Sequence, residues 1–157
     1  MGEEQGLRRL APNRERKFPN LRTAGYIVTS EETTIYNCVA WAAGDTSQQW
    51  EPGRYWPSSN AGDYLDALES AFSTLGYEVC QGDALEEGFE KVALFIDKKG
   101  EWSHAAKQTP DGQWSSKLGD WEDVKHPTPY AVSCSEYGNV ARIMRRKLSD
   151  RPSATGD

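Results

Sequence analysis

The sequence predicts a single α+β domain, with N-terminal helices packed on a C-terminal antiparallel β-sheet. The length of 157 residues suits one domain of ordinary size. Hydrophobic residues make up only 37% of the chain, but six Trp, seven Tyr and four Phe supply large apolar surfaces for a core. Helical patterns come before residue 76 and strand patterns after it, whereas alternating βαβ units would interleave them.

The ends of the chain are predicted to lie outside this core. Residues 1–20 are rich in charge and carry prolines and asparagines, so we expect a flexible N-terminal arm. Residues 149–157 contain Pro, Ser, Thr and Gly and predict a disordered tail. The single domain is therefore predicted to span residues 21–148.

The first predicted helix is short and buried. Asn37 is a favourable N-cap, the alanine-rich apolar run of residues 38–43 favours a helix, and Gly44 is a typical C-terminal stop. Cys38 then occupies the first turn of this helix.

The remaining elements follow from periodicity and turn signals. Apolar residues recur with a helical period over residues 62–75, and Gly76 ends this amphipathic helix. Asp111-Gly112 between two extended runs is a strong hairpin signal that places His104 on a strand. The predicted strands are residues 77–80, 91–96, 102–108 and 113–118, with a last strand or strand pair between residues 127 and 147.

The charge of the chain argues against some partners. A formal net charge of -6 and a pI near 5.0 disfavour a surface for nucleic acid or for an anionic membrane. No signal-peptide h-region or membrane-spanning stretch is visible, so we expect a cytoplasmic protein, although export by a dedicated secretion system leaves no such signal. We further expect a monomer.

The cysteines and histidines predict neither a metal site nor a cofactor. Three Cys are an odd and sparse set that suits a reducing compartment better than a disulfide framework. The two His and three Cys lack ligand spacings of the CxxC or HExxH kind. We expect Cys80 and Cys134 to be structural, because neither begins a helix or has a nearby histidine.

Cys38 and His104 form the candidate catalytic pair. A thiol at the first turn of a helix lies near the positive end of the helix dipole and near free N–H groups, which favour the thiolate. A histidine on a later strand that faces this turn could take the thiol proton and then protonate a leaving group. The order of the two elements therefore predicts His104 as the partner of Cys38.

Residues 37–41 (Asn-Cys-Val-Ala-Trp) and 103–106 (Ser-His-Ala-Ala) resemble the papain-like cysteine-hydrolase superfamily, particularly its NlpC/P60 and CHAP branches. The chain is also similar to an uncharacterised bacterial domain family with Asn-Cys-x-Ala-Trp-Ala, His-Ala-Ala and Ser-Lys-Leu-Gly segments. The first resemblance implies a papain-like fold, in which the helix that bears the nucleophile comes first, and a cysteine peptidase or amidase activity. The second implies no activity.

The papain-like resemblance also implies a third polar residue, which orients the histidine from the strand after the hairpin turn. Counting across the turn places Ser116 at this position, with Ser115 and Lys117 as alternatives if the register differs by one. Those enzymes usually have His, Asn, Asp or Gln there, so a serine departs from the pattern. Asp120, Asp123 or His126 could substitute from the loop that we predict to follow. Within that loop, we expect His126, which precedes Pro127, to lie at the surface.

Two functions remain open on the sequence. The first is a cysteine-dependent hydrolase or acyl-transfer enzyme of peptidase, amidase or deamidase type. It would act on a peptide, amide or protein substrate through Cys38, His104 and Ser116. The second is a non-catalytic binding, regulatory or immunity-type domain, in which Cys38 and His104 are packing residues.

Overall fold

The computed structural model describes residues 9–150 of the chain. Four short α-helices and seven β-strands make up its regular structure, together with two 3-10 turns at Pro129–Val132 and Leu148–Asp150. The helices are α1 (Pro12–Glu15), α2 (Pro19–Ala24), α3 (Cys38–Ala43) and α4 (Leu65–Ser73). The strands are β1 (Ile27–Ser30), β2 (Glu78–Cys80), β3 (Phe89–Ile96), β4 (Trp102–Gln108), β5 (Trp114–Lys117), β6 (Asp123–His126) and β7 (Asn139–Lys147).

All seven strands belong to one antiparallel sheet, in the order β1-β6-β5-β4-β3-β7-β2. The strands β3 to β6 are neighbours in sequence and in space, which is a meander. Strand β7 returns to pair with the free edge of β3, and the short strands β1 and β2 form the two edges of the sheet.

The predicted architecture, a papain-like arrangement of N-terminal helices packed on a C-terminal sheet, is wrong. The fold is dominated by the sheet, and its helices contain only four to nine residues. Strand β1 also precedes α3, so the helices and strands are not divided between the two halves of the chain. The helical period of residues 62–75 extends as a helix only over Leu65–Ser73.

The sheet separates two hydrophobic cores, because successive side chains of a strand point to opposite faces. On the front face, α3 and α4 pack against the sheet through residues that include Val39, Leu68 and Phe72. On the back face, Leu10, Phe18 and Leu21 cover the sheet. The alternation is visible along β3 and β4, where the front-facing residues are Val92, Leu94 and Ala105 and the back-facing residues are Ala93, Phe95 and Ala106.

Residues 9–20, which composition placed in a flexible arm, pack on the back face. Leu10 is 4% exposed and Phe18 is 2% exposed. The charged side chains that suggested disorder lie at the surface, where Arg14 forms ion pairs with Glu32 and Glu122. Residues 1–8 of the predicted arm and residues 151–157 of the predicted tail lie outside the described residues.

The four α-helices of the described residues contain at most nine residues each. None of those between residues 9 and 150 is both long enough and apolar enough to cross a membrane.

Candidate functional site

The helix α3 begins at Cys38, as its sequence predicts. The Oδ1 atom of Asn37 accepts a hydrogen bond from the N–H of Ala40 at 3.0 Å, which caps the helix. Gly44 ends it in the left-handed conformation, with a φ of 89°. The predicted helix, its cap and its stop are therefore confirmed.

Asn37 also holds the chain that follows the helix. Its Oδ1 atom accepts from the N–H of Trp50 at 3.1 Å, and its Nδ2 atom donates to the carbonyl of Trp50 at 2.9 Å. Both polar atoms of the amide are thus used within the fold, so Asn37 acts on Cys38 by placing the start of α3.

The thiol of Cys38 is buried against strand β4. The residue is 8% exposed, and burial raises the pKa of its thiol to about 11. The backbone N–H groups of Ala105 and Val39, and its own N–H, oppose this rise by contacting the sulfur. Ala105 follows His104 directly in β4, so Cys38 lies beside the neighbour of its predicted partner.

His104 lies on β4 in the predicted hairpin, and it is fully buried. Its Nε2 atom lies 3.0 Å from the hydroxyl of Ser116 on β5. Its ring stacks on Tyr137 with centroids 4.1 Å apart, and it meets Phe95 edge-on at 5.1 Å. The register of β3 and β4 shifts beside it, since Phe95 pairs with His104 but the next residue pairs with Trp102.

Ser116 connects His104 to a second buried histidine. The hydroxyl of Ser116 lies 2.9 Å from Nε2 of His126, and Nδ1 of His126 lies 2.7 Å from the carbonyl oxygen of Thr128. His104, Ser116 and His126 are each 0% exposed. The three residues form a continuous hydrogen-bonded chain on the back face of the sheet.

The prediction that His126 lies in a surface loop is wrong. His126 is the last residue of β6 and pairs with Trp114 of β5. The strand escaped prediction because it has four residues, of which Val124 is the one aliphatic residue. No local signal marks it, and its burial depends on pairing with β1 and β5.

Both imidazoles are neutral at neutral pH. Burial lowers the pKa of His104 well below its ordinary value, and the nearby His126 lowers it further. Burial also lowers the pKa of His126 to about 4. The Nδ1 atom of His104 has no hydrogen-bond partner within residues 9–150, so His104 and Cys38 are not hydrogen-bonded to each other.

Cys38 and His104 approach the strand β4 from different sides. Cys38 packs in the front core with Ala105, whereas the ring of His104 contacts Phe95 and Tyr137 of the back core. They are connected through Ala105, the residue after His104 in β4, whose N–H contacts the thiol of Cys38.

Tyr137 is a site residue that sequence reasoning missed. Its backbone carbonyl accepts a hydrogen bond from the hydroxyl of Ser103, and its ring covers His104. The residue after it, Gly138, has a φ of 71°, and a Cβ atom there would lie 1.9 Å from the carbonyl oxygen of Ile96. The sequence signal for Tyr137 was the glycine that follows it. Because Gly138 has no Cβ atom, its backbone can lie against that of Ile96, which holds Tyr137 close to the sheet.

Two of the alternative third residues, Ser115 and Lys117, point to the front face. The hydroxyl of Ser115 accepts a hydrogen bond from Nε1 of Trp41 at 3.0 Å. The ammonium of Lys117 donates to the carbonyls of Thr33, Gly119 and Trp121 at 2.8, 2.6 and 2.7 Å. Neither is hydrogen-bonded to His104, whereas Ser116 is.

The acidic alternatives also lie away from His104. Asp123 accepts a hydrogen bond from the hydroxyl of Tyr36 at 3.1 Å, and burial raises the pKa of its carboxyl group. Asp120 is exposed. Of the candidates for the third position, Ser116 binds His104 directly and His126 does so through Ser116.

The remaining thiols are not part of this chain. Cys80 and Cys134 are each partly buried, and the sulfur of Cys134 accepts a hydrogen bond from the N–H of Tyr137 at 3.4 Å. Between residues 9 and 150, no group of three or more His, Cys, Asp or Glu side chains is placed to hold a metal ion.

Comparison with known proteins identifies a family without an assigned activity. Searches of curated proteins and of solved structures found no match to this chain. The family model of a domain of unknown function, DUF7689, matches residues 27–145, which include Cys38, His104, Ser116 and His126. Because this match covers more than half of the sequence, the chain belongs to the DUF7689 family.

Proposed function

We propose that the domain is a cysteine-dependent hydrolase or acyl-transfer enzyme that acts on the amide or ester groups of a peptide or protein. Cys38 is the nucleophile and His104 is the general base and acid. The observation that carries the proposal is the Nδ1 atom of His104, a buried nitrogen that has no hydrogen-bond partner within residues 9–150. It belongs to the residue that precedes Ala105, which contacts the thiol. A buried polar atom left unpaired is costly, and catalysis is one reason to retain it.

The chemistry uses Nδ1 of His104 as the proton acceptor. As the sulfur of Cys38 attacks the carbonyl carbon, its proton moves to Nδ1, and the negative charge develops on the carbonyl oxygen. The N–H groups at the start of α3, which contact the sulfur, are the donors available to this oxygen. The imidazolium then returns the proton to the leaving amine or alcohol, and a thioester remains on Cys38. Water or an amine completes the reaction.

The directions of the two pKa shifts favour a neutral thiol and a neutral imidazole over a thiolate–imidazolium ion pair. Burial raises the pKa of the Cys38 thiol and lowers that of His104, so both are uncharged at neutral pH. Proton transfer would then accompany attack. The nearby ammonium of Lys117 lowers the pKa of the thiol and so favours the thiolate as it forms.

The non-catalytic alternative also has a specific observation in its favour. Cys38 is 8% exposed and is not hydrogen-bonded to His104. The enzyme therefore requires a rearrangement that brings the sulfur of Cys38 and Nδ1 of His104 to the same side of β4 when substrate binds; catalytic hydrogen bonds often form fully only in the complex. A binding, regulatory or immunity-type domain requires none.

Acylation by p-nitrophenyl acetate, followed by mass spectrometry of the digested protein, separates these two functions. The enzyme predicts one acetyl group per chain, on Cys38, absent from Cys38→Ser and formed more slowly in His104→Gln. Cys80→Ser is the matched control and should acylate like the native protein. A folded native chain that gains no acetyl group on Cys38 would exclude this chemistry and support the non-catalytic domain.

A further inference from the structure

The hydrogen bonds of His126 decide where the proton of His104 lies. The carbonyl oxygen of Thr128, 2.7 Å from Nδ1 of His126, can only accept. Nδ1 of His126 must therefore donate. Because this imidazole is neutral, it carries one ring proton, and its Nε2 atom is an acceptor.

The hydroxyl of Ser116 transmits this direction to His104. Its single proton must go to the Nε2 atom of His126, 2.9 Å away. The oxygen of Ser116 can then only accept from His104, whose Nε2 atom lies at 3.0 Å. Nε2 of His104 carries the ring proton, and its Nδ1 atom is left with a free lone pair.

We infer that His126 is a positioning residue that, through Ser116, holds His104 in the tautomer with Nε2 protonated and Nδ1 free. This is the tautomer that a general base acting through Nδ1 requires. The inference rests on the proposed function only for the role of His104, because the tautomer can be measured without any reaction.

The second histidine explains how a serine can occupy the orienting position. A carboxylate or an amide oxygen accepts only, so it selects a protonated ring nitrogen by itself, whereas a hydroxyl both donates and accepts. Ser116 alone would bind either tautomer of His104. His126 removes this ambiguity by taking the hydroxyl proton, and the full burial of all three residues keeps water from replacing any link.

The tautomer of each histidine can be read from the ¹⁵N chemical shifts of its ring nitrogens. In the native protein we expect the Nε2–H form for His104 and the Nδ1–H form for His126. His126→Phe removes the acceptor for the hydroxyl proton of Ser116. The tautomer ratio of His104 should then shift by about tenfold toward Nδ1–H, the change expected when the hydrogen bond that favoured the Nε2–H form is lost. His126→Gln offers an amide oxygen in its place and should restore the native ratio.

The acylation of Cys38 gives a second readout that a purely structural histidine would not move. It should slow in His126→Phe and recover in His126→Gln while both variants remain folded. If His126→Phe does not fold, Ser116→Ala tests the same link. A native His104 in the Nδ1–H form, or a tautomer ratio of His104 that stays at its native value in His126→Phe (or in Ser116→Ala, where that variant is used), would overturn the inference. The expected tautomers without any acylation of Cys38 would instead overturn the proposed function alone.

Discussion

Ser116 and Lys117 are neighbours on β5, and each lies in a buried polar cluster. The clusters differ in whether the buried nitrogen, of Lys117 or of the histidine bound to Ser116, has all its hydrogen-bond partners. On the front face, the ammonium of Lys117 has three donors and three carbonyl acceptors, so it is fully satisfied. On the back face, Ser116 binds His104, whose Nδ1 atom is unpaired among the described residues. A satisfied buried group contributes to stability, whereas an unsatisfied one is a candidate for chemistry.

The hydrogen bonds of the Lys117 ammonium stabilise the contact between two segments of the chain. Its hydrogen bond to Thr33 joins the segment before α3 to the turn that follows β5. Burial lowers the pKa of the ammonium, and the carboxylates of Asp123 and Asp120 oppose this shift. Lys117 therefore holds in place the segment that precedes Cys38. It does so on the face of the sheet opposite to His104.

The largest effect on stability is expected from Lys117→Met. The substitution leaves three carbonyl groups without their donor, and at roughly 1 kcal/mol or more for each we expect a loss of about 3 kcal/mol. Urea denaturation measures this loss. Lys99→Met, at an exposed lysine of the turn after β3, is the control and should change the free energy of unfolding by less than about 0.5 kcal/mol. Equal effects at the two positions would contradict the assignment of Lys117 as a structural cation.

The two histidines predict that the protein loses stability as the pH falls from 7 to 5. Their folded-state pKa values lie below the unfolded value near 6.5, so the unfolded chain binds more protons in this range. With a pKa of about 4, His126 alone accounts for roughly 2 kcal/mol at pH 5. His104 adds to the loss, and Asp123, whose pKa is raised, opposes it.

The double variant His104→Gln/His126→Gln separates these contributions. Its free energy of unfolding, measured by urea denaturation at each pH, should change less between pH 7 and 5 than that of the native protein. The same slope in both proteins would show that the histidines are not buried as neutral rings.

Smaller losses of stability are expected when the serine on each face of β5 is replaced by alanine, and they compare the two faces directly. Ser116→Ala leaves nitrogen atoms of both histidines unpaired and should cost roughly 2 kcal/mol, whereas Ser115→Ala leaves only the indole N–H of Trp41 unpaired and should cost about 1 kcal/mol. Only Ser116→Ala should slow the acylation of Cys38. If both variants slowed it equally, the difference between the faces would have no functional meaning.

Local signals account for the parts of the fold and site that the sequence predicted. The cap at Asn37, the stop at Gly44 and the Asp-Gly turn each act within a few residues, so α3 and the β4–β5 hairpin were predictable. The hairpin register in turn placed Ser116 near His104.

The missed features depend on contacts between distant segments. Strands β1 and β6 have four residues each, and they pair across about a hundred residues of sequence, from Ile27 to Lys125. The burial of His126 follows from that pairing, so no local pattern could reveal it. The acceptors of Lys117 are backbone carbonyls, which have no residue signature.

The most direct measurement of the central claim is the rate of alkylation of Cys38 by iodoacetamide between pH 6 and 9, with and without His104. Cys80 and Cys134 serve as internal references, because burial raises the pKa of their thiols as well. Because Cys38 is buried and the pKa of its thiol is raised to about 11, its absolute rate should not exceed that of the references. We predict instead that His104→Gln slows the reaction of Cys38 by at least about tenfold, without changing the other two. A rate of Cys38 alkylation that His104→Gln leaves unchanged, or that falls together with the rates of Cys80 and Cys134, would contradict the account.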